Sequence, residues 1–123
     1  MNPFEHPEFD NHEHISFFSD PEVGLQAITA IHSTGRLELA GGGCRIWPYS
    51  SADEALRDVL RLSRAMSYKL ALAGLPAGGA KTVVIADPKT DKTEELLRSL
   101  GKMVDRLGGR YVIAEDVGTT PAD

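Results

Sequence analysis

The chain has a single cysteine, so no internal disulfide holds it together, and Cys44 has no His–Asp pattern nearby that would make it a nucleophile. It reads as a small buried residue beside glycines. Long apolar runs are missing too. No stretch approaches the length of a membrane span, and no basic start precedes an apolar signal segment, so a membrane is not an expected partner and the chain reads as cytosolic. Basic runs are equally lacking. A formal net charge of −5 and a pI near 5.3 argue against nucleic acid or an anionic surface as the main partner, while leaving room for a local cationic pocket. Nor is there a G-x-G-x-x-G after any predicted strand, so the chain carries no dinucleotide fingerprint of its own.

What is present suffices for one domain. With 123 residues, 41% hydrophobic and 25% charged, the chain can bury a core of ordinary soluble type. Residues 1–13 are polar and aperiodic. The histidines in and just after them, His6, His12 and His14, lack metal-ligand spacing, and no metal is expected. His14–Phe18 reads as a strand, Asp20–Glu22 as a turn, Leu25–His32 as a second strand and Leu37–Trp47 as a third. The third strand holds Gly41, Gly42 and Gly43, which point to a bulge or to a ligand lying on the backbone. Ser51 and Glu54 form a capping box, and Leu56, Val59, Leu60, Ser63 and Met66 follow at helical spacing, predicting a helix from Ala52 toward Ala71.

Thr82–Ala86 is a short β-branched strand, Asp91 with Glu94 caps a second helix, and Gly108–Gly109 end it. Arg110–Glu115 is the last strand. Three strands, helix, strand, helix, strand indicate an α/β fold with a mixed β-sheet flanked by helices. Thr119 or Thr120 before Pro121 and Asp123 reads as the start of a further helix, which makes the chain the front part of a longer protein.

The chemistry concentrates in K-L-A-L-A-G-L-P-A-G-G-A-K, bracketed by Lys69 and Lys81, and in Asp116 at the end of Y-V-I-A-E-D. Two cations and a carboxylate beside a glycine-rich loop suit a small anionic substrate that must be gripped and deprotonated. A partly buried ammonium with a second cation nearby loses its proton more readily, which makes a lysine usable as a general base. The alternatives are a Lys69 that snorkels at a helix end and a Lys81 that merely starts a strand. Phosphate binding by G-L-P-A-G-G-A-K-T is disfavoured, because Ala80 replaces the glycine before the lysine and the segment leads from helix to strand. One tension is visible. Adjacent parallel strands at 82–86 and 110–115 would set Lys81 and Asp116 roughly 17 Å apart, at about 3.3 Å per residue.

The runs G-G-C-R-I-W-P-Y, E-A-L-R-D-V-L-R-L-S-R-A-M-S-Y-K, A-G-L-P-A-G-G-A-K and G-G-R-Y-V-I-A-E-D-V-G-T-T, in order and over about residues 12–120, resemble the N-terminal domain of the Glu/Leu/Phe/Val dehydrogenases, most of all the leucine enzymes. The resemblance implies oxidative deamination of an L-amino acid to a 2-oxo acid and ammonia, with NAD as hydride acceptor, in a cytoplasmic homo-oligomer. It implies that Lys69 pairs with the substrate carboxylate, that Lys81 activates water, and that Asp116 shuttles protons to and from the amino group. Gly42 and Gly43 would lie against the substrate and Met66 near the nicotinamide. It also implies that residues 1–123 are the substrate-binding, catalytic and oligomerisation domain of a two-domain enzyme, whose C-terminal Rossmann domain, holding most of the cofactor site, is absent here. Gly41 departs from the pattern, since leucine enzymes commonly carry leucine there. The missing side chain leaves room for substrates bulkier than leucine, whereas A-E-D-V-G-T resembles the leucine and valine enzymes, and both ranges stay open. A non-catalytic assembly module and a carboxylate binder without redox chemistry are the other classes in play.

Overall fold

A computed structural model describes residues 2–116 and 118–123; Val117, within the E-D-V-G-T-T run, and the Glu115 side chain lie outside the described residues. Five strands, β1 (His14–Asp20), β2 (Leu25–Ile31), β3 (Ala40–Trp47), β4 (Gly78–Ile85) and β5 (Tyr111–Glu115), form one sheet in the order β1-β2-β4-β3-β5. β1 with β2 and β2 with β4 run antiparallel, whereas β3 runs parallel to both β4 and β5. Helices α1 (Ala52–Leu72) and α2 (Glu94–Asp105) flank this mixed sheet. The α/β class and the element order are those read from the sequence.

Helix α1 starts where Ser51, in extended conformation, accepts the Glu54 N–H on its hydroxyl at 3.1 Å, with Asp53 and Glu54 beside the positive end of the helix dipole. The Glu54 carboxylate folds back to the hydroxyl and N–H of Ser50 rather than to Ser51, one residue off the expected box. Ala55, Leu56, Val59 and Leu60 recur every three to four residues and bury against Ile28, Ala30 and Val83. α2 is capped by Thr93, not Asp91, which instead accepts the Asp87 N–H at 2.9 Å and closes the preceding turn. Its Leu96 and Leu100 pack on Leu25, Ala27, Cys44, Ile46 and Val84, the opposite face.

Opposite faces are a requirement of the topology. β4 lies on one side of β3 and β5 on the other, so two right-handed crossovers in opposite directions place their helices on opposite sides of the sheet. Where the winding reverses, beside β3, neither helix covers the carboxyl ends of the parallel strands, the usual place for a ligand in such sheets.

Three expectations change. β4 begins at Gly78 rather than Thr82, so the glycine-rich segment is sheet, not loop, and Lys81 sits mid-strand. β3 begins at Ala40 rather than Leu37, after a turn in which Gly35 and Glu38 take left-handed φ of 65° and 53°. Its three glycines make no bulge, since its register to β4 keeps one offset from Ala40↔Gly78 to Trp47↔Ile85. Residues 120–123 form a turn, closed by Asp123 N–H to Thr120 C=O at 3.0 Å.

The N-terminal segment is pinned by histidines used one at a time. His6 accepts the Glu8 N–H and His14 meets Ser16. His12 is buried, its Nδ1 accepting the Asp10 N–H at 3.1 Å, which leaves Nε2–H to donate to the Leu60 carbonyl of α1 at 2.9 Å. Burial holds this imidazole below its ordinary value of 6.5, because a second proton would be desolvated and would face the Asp10 N–H. The unfolded chain therefore binds that proton more readily, and stability present above pH 6.5 is lost as the pH falls below it. Thermal melts from pH 7 to pH 5 should show a falling midpoint, and His12→Gln should flatten that slope. An unchanged slope in the variant would assign it to other groups.

Candidate active site

Side chains alternate along a strand, so Gly41, Gly43 and Arg45 of β3 share one face, the face that α1 covers only over β2 and β4. The register sets Gly41 beside Gly79 on one flank and Val112 on the other, with Gly43 beside Ala114. Extending the same pairings puts Lys81 level with Gly43, and Asp116 level with Arg45. The result is an open strip floored by glycine, with Lys81 on one side and Asp116 on the other.

Lys81 Nζ and Asp116 Oδ2 are in direct ion contact, with side chains only 12% and 18% exposed. The expected separation of roughly 17 Å does not arise, for two reasons. β3 lies between the two strands rather than outside them, and the earlier start of β4 moves Lys81 up to the level of Gly43. Asp116 is fixed from behind: its N–H donates to Thr119 Oγ1 at 2.7 Å, and the Thr119 hydroxyl donates to the Cys44 carbonyl of β3, also at 2.7 Å. Its other carboxylate oxygen, Oδ1, lies 3.5 Å from Arg45 Nη2. Arg45 in turn reaches Asp58 of α1 at 3.3 Å, and Asp58 accepts from the Tyr49 hydroxyl at 2.5 Å and from Arg61 at 3.1 Å.

Lys69 stands exposed in the last turn of α1, rather than partly buried, and takes part in none of the ion pairs among the described residues. The cation beside the Lys81–Asp116 pair is Arg45. Lys69 lies on the same edge of α1 as Asp58, Leu62 and Met66, the edge that Asp58 turns toward β3. Asp58 and Lys69 are then roughly 16 Å apart along the helix. The half-buried Met66 belongs to the turn seated directly on β4, where a Cβ at Gly79 would come within 2.7 Å of the Met66 carbonyl carbon.

The glycines divide by face. A Cβ on Gly41 would meet nothing within 4 Å, so that position opens onto the strip. Gly42 alternates to the other face, and a Cβ there would run into the Ala80 carbonyl at 1.7 Å, so strand packing by itself requires glycine at this position. Below Gly43, buried hydroxyls run from Thr29 to Thr82 at 2.7 Å, Thr82 to Tyr111 at 3.0 Å and Tyr111 to the Gly43 carbonyl at 3.3 Å. Burial raises the Tyr111 phenol above its ordinary value, keeping it a donor. The Cys44 thiol, pushed up to about 12 by burial, stays protonated and unreactive.

Neither sizeable hollow contains the lysine–aspartate pair. One of about 490 Å³ is lined by Arg45, Trp47, Tyr49 and Asp58, and one of about 560 Å³ lies under α2. The strip is open, a wall rather than an enclosed pocket. Arg45, Asp58 and Thr119 escaped the sequence reading as site residues. The available signal was a charge at period two from Gly41 and Gly43 in an otherwise buried strand, and an acid on the apolar side of α1. Chemically, the arrangement offers an acid–base pair beside a surface clear of side chains, with an exposed lysine on the Asp58 edge of α1.

Comparison with known proteins shows the family. Residues 12–123 match the family model described as Glu/Leu/Phe/Val dehydrogenase, dimerisation domain. The leucine dehydrogenase of Geobacillus stearothermophilus is 52% identical over 123 residues, all of this chain and 33% of that protein. The phenylalanine dehydrogenase of Bacillus thermotolerans is 53% identical over 116 residues, 94% of this chain and 30% of that one. Among solved structures, the L-tryptophan dehydrogenase from Nostoc punctiforme superposes with a TM-score of 0.85 at 48% identity, covering 90% of this chain and 33% of its own. The chain thus spans about a third of the length of these relatives. On a family match over nearly its whole length and a shared fold, the chain belongs to the Glu/Leu/Phe/Val dehydrogenase family, within its dimerisation domain.

Proposed function

We propose that this chain is the amino-acid-binding and proton-transfer half of an enzyme that oxidatively deaminates an L-amino acid to a 2-oxo acid and ammonia, and catalyses the reverse. The observation that carries this reading is the contact of Lys81 with Asp116 beside a glycine-floored strip, with the exposed Lys69 on the Asp58 edge of α1. Relatives named leucine, phenylalanine and tryptophan dehydrogenases support it. A scaffold alone would have no use for a part-buried Lys–Asp–Arg network on the face where the missing side chain of Gly41 leaves open space.

In this reading the Lys69 ammonium holds the substrate α-carboxylate, which fixes Cα over the strip. Asp116 takes a proton from the substrate ammonium and later returns it to the departing amine, and Lys81, as the neutral amine, takes a proton from the water that adds to the imino carbon; in the reverse direction these transfers run backward. Gly41 and Gly43 let the substrate lie close to β3, with Met66 near the far end of the strip. The hydride acceptor of the reaction is NAD. The residues described here build no cradle for its pyrophosphate, because Gly78 and Gly79 lie inside β4 and give their N–H groups to the Leu39 carbonyl and the Ser67 hydroxyl. In this reading NAD is held mainly by a second domain, and the complete protein is a two-domain, cytoplasmic homo-oligomer. The family description, a dimerisation domain, supports the self-association.

Side-chain preference should depend on Gly41. Because a Cβ there meets open space, Gly41→Leu fills the strip without straining the fold and excludes the larger substrates by steric cost. In the complete protein the ratio of kcat/KM for L-phenylalanine over L-leucine should fall about tenfold or more, the scale of small changes in an apolar pocket. The assay follows NAD reduction with L-leucine, L-valine and L-phenylalanine. Unchanged ratios would remove Gly41 from the pocket, and no reduction with any of the three by the unmodified protein would overturn the proposed reaction.

A further inference from the structure

We propose that Arg45 is a positioning residue that holds Asp116 in place when Lys81 turns away toward water and substrate. The inference rests on the reading of Lys81 and Asp116 given above. The two carboxylate oxygens of Asp116 are divided: Oδ2 faces Lys81, and Oδ1 faces Arg45 Nη2 at 3.5 Å. A lysine stem is flexible and cannot orient a carboxylate by itself, whereas a guanidinium presents its donors in a fixed plane. That plane is set from the other side. Arg45 Nη1 lies 3.3 Å from Asp58 Oδ2, and Asp58, 13% exposed, is immobilised by the hydroxyl of Tyr49 and by Arg61. Both terminal nitrogens of Arg45 are thereby committed to protein carboxylates, which leaves Lys69 as the cation for the substrate.

The arrangement has a mechanical consequence. When Lys81, as the neutral amine, leaves Asp116 to activate water, the acid loses the neighbour that faces Oδ2, and Arg45 at Oδ1 keeps it from turning. With Arg45 in place, base and acid separate and keep their positions. Misplacement of a reacting group by about 1 Å costs on the order of 10²-fold in rate, so the anchor should affect turnover rather than substrate affinity.

The test uses the complete protein, with Lys81→Ala as a parallel arm. Arg45→Gln should lower kcat about 10- to 100-fold, with KM for the amino acid changed less than about threefold. Arg45→Lys should recover only part of that loss, because a single ammonium cannot bridge two carboxylates. In Arg45→Ala, guanidinium at millimolar concentration should restore activity, since the adjoining hollow of about 490 Å³ admits it beside Asp58. Asp58→Asn should lower kcat in the same manner, and the Arg45→Gln, Asp58→Asn double variant should lose less than the product of the two. Wild-type kcat in folded Arg45→Gln, or a raised KM with kcat intact, would overturn the proposal. Should Arg45→Gln fail to fold, Asp58→Asn decides in the same way. An inactive Lys81→Ala beside an unaffected Arg45→Gln removes only the role of Arg45, whereas an active Lys81→Ala removes the proposed reaction as well.

Discussion

Lys81→Ala in the complete protein should lower kcat by about 10²–10⁴-fold, the usual worth of a positioned general base, while the KM for the amino acid changes little. The argument is geometric. Lys81 projects from mid-strand onto the strip, 12% exposed and in contact with Asp116, so its loss removes the proton acceptor and the cation facing Asp116 Oδ2, while Arg45 still faces Oδ1. Lys69→Ala should behave in the opposite way, since its exposed ammonium lies on the Asp58 edge of α1 without a protein carboxylate. Loss of a charge-assisted contact of about 1.5–3 kcal/mol raises KM about 10- to 100-fold and leaves turnover on bound substrate closer to wild type. Steady-state kinetics on both variants separates the roles. Equal effects on kcat and KM in the two would show that the lysines act as one binding cluster.

Gly79→Ala should be strongly destabilising. A Cβ at Gly79 would meet Ser67 N at 2.1 Å, Ser63 O at 2.5 Å and the Met66 carbonyl carbon at 2.7 Å, all backbone of α1, so no rotamer change relieves it. The helix must move off the sheet, breaking the Gly79 N–H bond to the Ser67 hydroxyl at 2.9 Å. Overpacking of this kind costs about 3 kcal/mol, against a total of about 5–15 kcal/mol for a domain. A fall in melting temperature on the order of 10–20 °C follows. Gly41→Ala, on the neighbouring strand in the same row, meets open space and should change stability by less than about 0.5 kcal/mol. Urea or thermal unfolding of the pair gives the comparison, and a wild-type midpoint for Gly79→Ala would show that α1 does not rest on β4 as described.

Much of the fold was legible because local rules and tertiary packing agree here. The helical spacing of Leu56, Val59, Leu60 and Ser63 and the Ser51 cap placed α1 within a residue of its observed ends. The missed start of β4 has a physical cause. Gly78, Gly79 and Ala80 have low intrinsic strand preference, and they are sheet because β3 lies along one side of them, Ile31 pairs with Ala80, and α1 needs a side chain absent at Gly79. Such pairing is invisible to a pattern read along one strand. Lys81 and Asp116 were recognised as chemistry-bearing residues, but their contact depends on strand order, which spacing does not encode. Arg45 and Asp58 belong together only across the β3–α1 crossing, and alternation, rather than adjacency in sequence, sets Gly42 on the face opposite to Gly41 and Gly43. Lys69 was expected to share a pocket with Lys81, and its exposure shows that the charge acting on the pair comes from an arginine instead.

The position of β3 between β4 and β5 has a consequence during synthesis. β3 leaves the ribosome before either neighbour, and its flank toward β5 keeps unpaired N–H and C=O groups until residues 111–115 have been made. A bare strand flank is a template for pairing with other chains. Gly41, Gly42 and Gly43 make that flank a poor one, because consecutive glycines resist the extended state and offer no side chains to a foreign strand. Gly41 and Gly43, which leave one finished face clear, thus also help, with Gly42, to guard the nascent chain against association while it waits for its last strand.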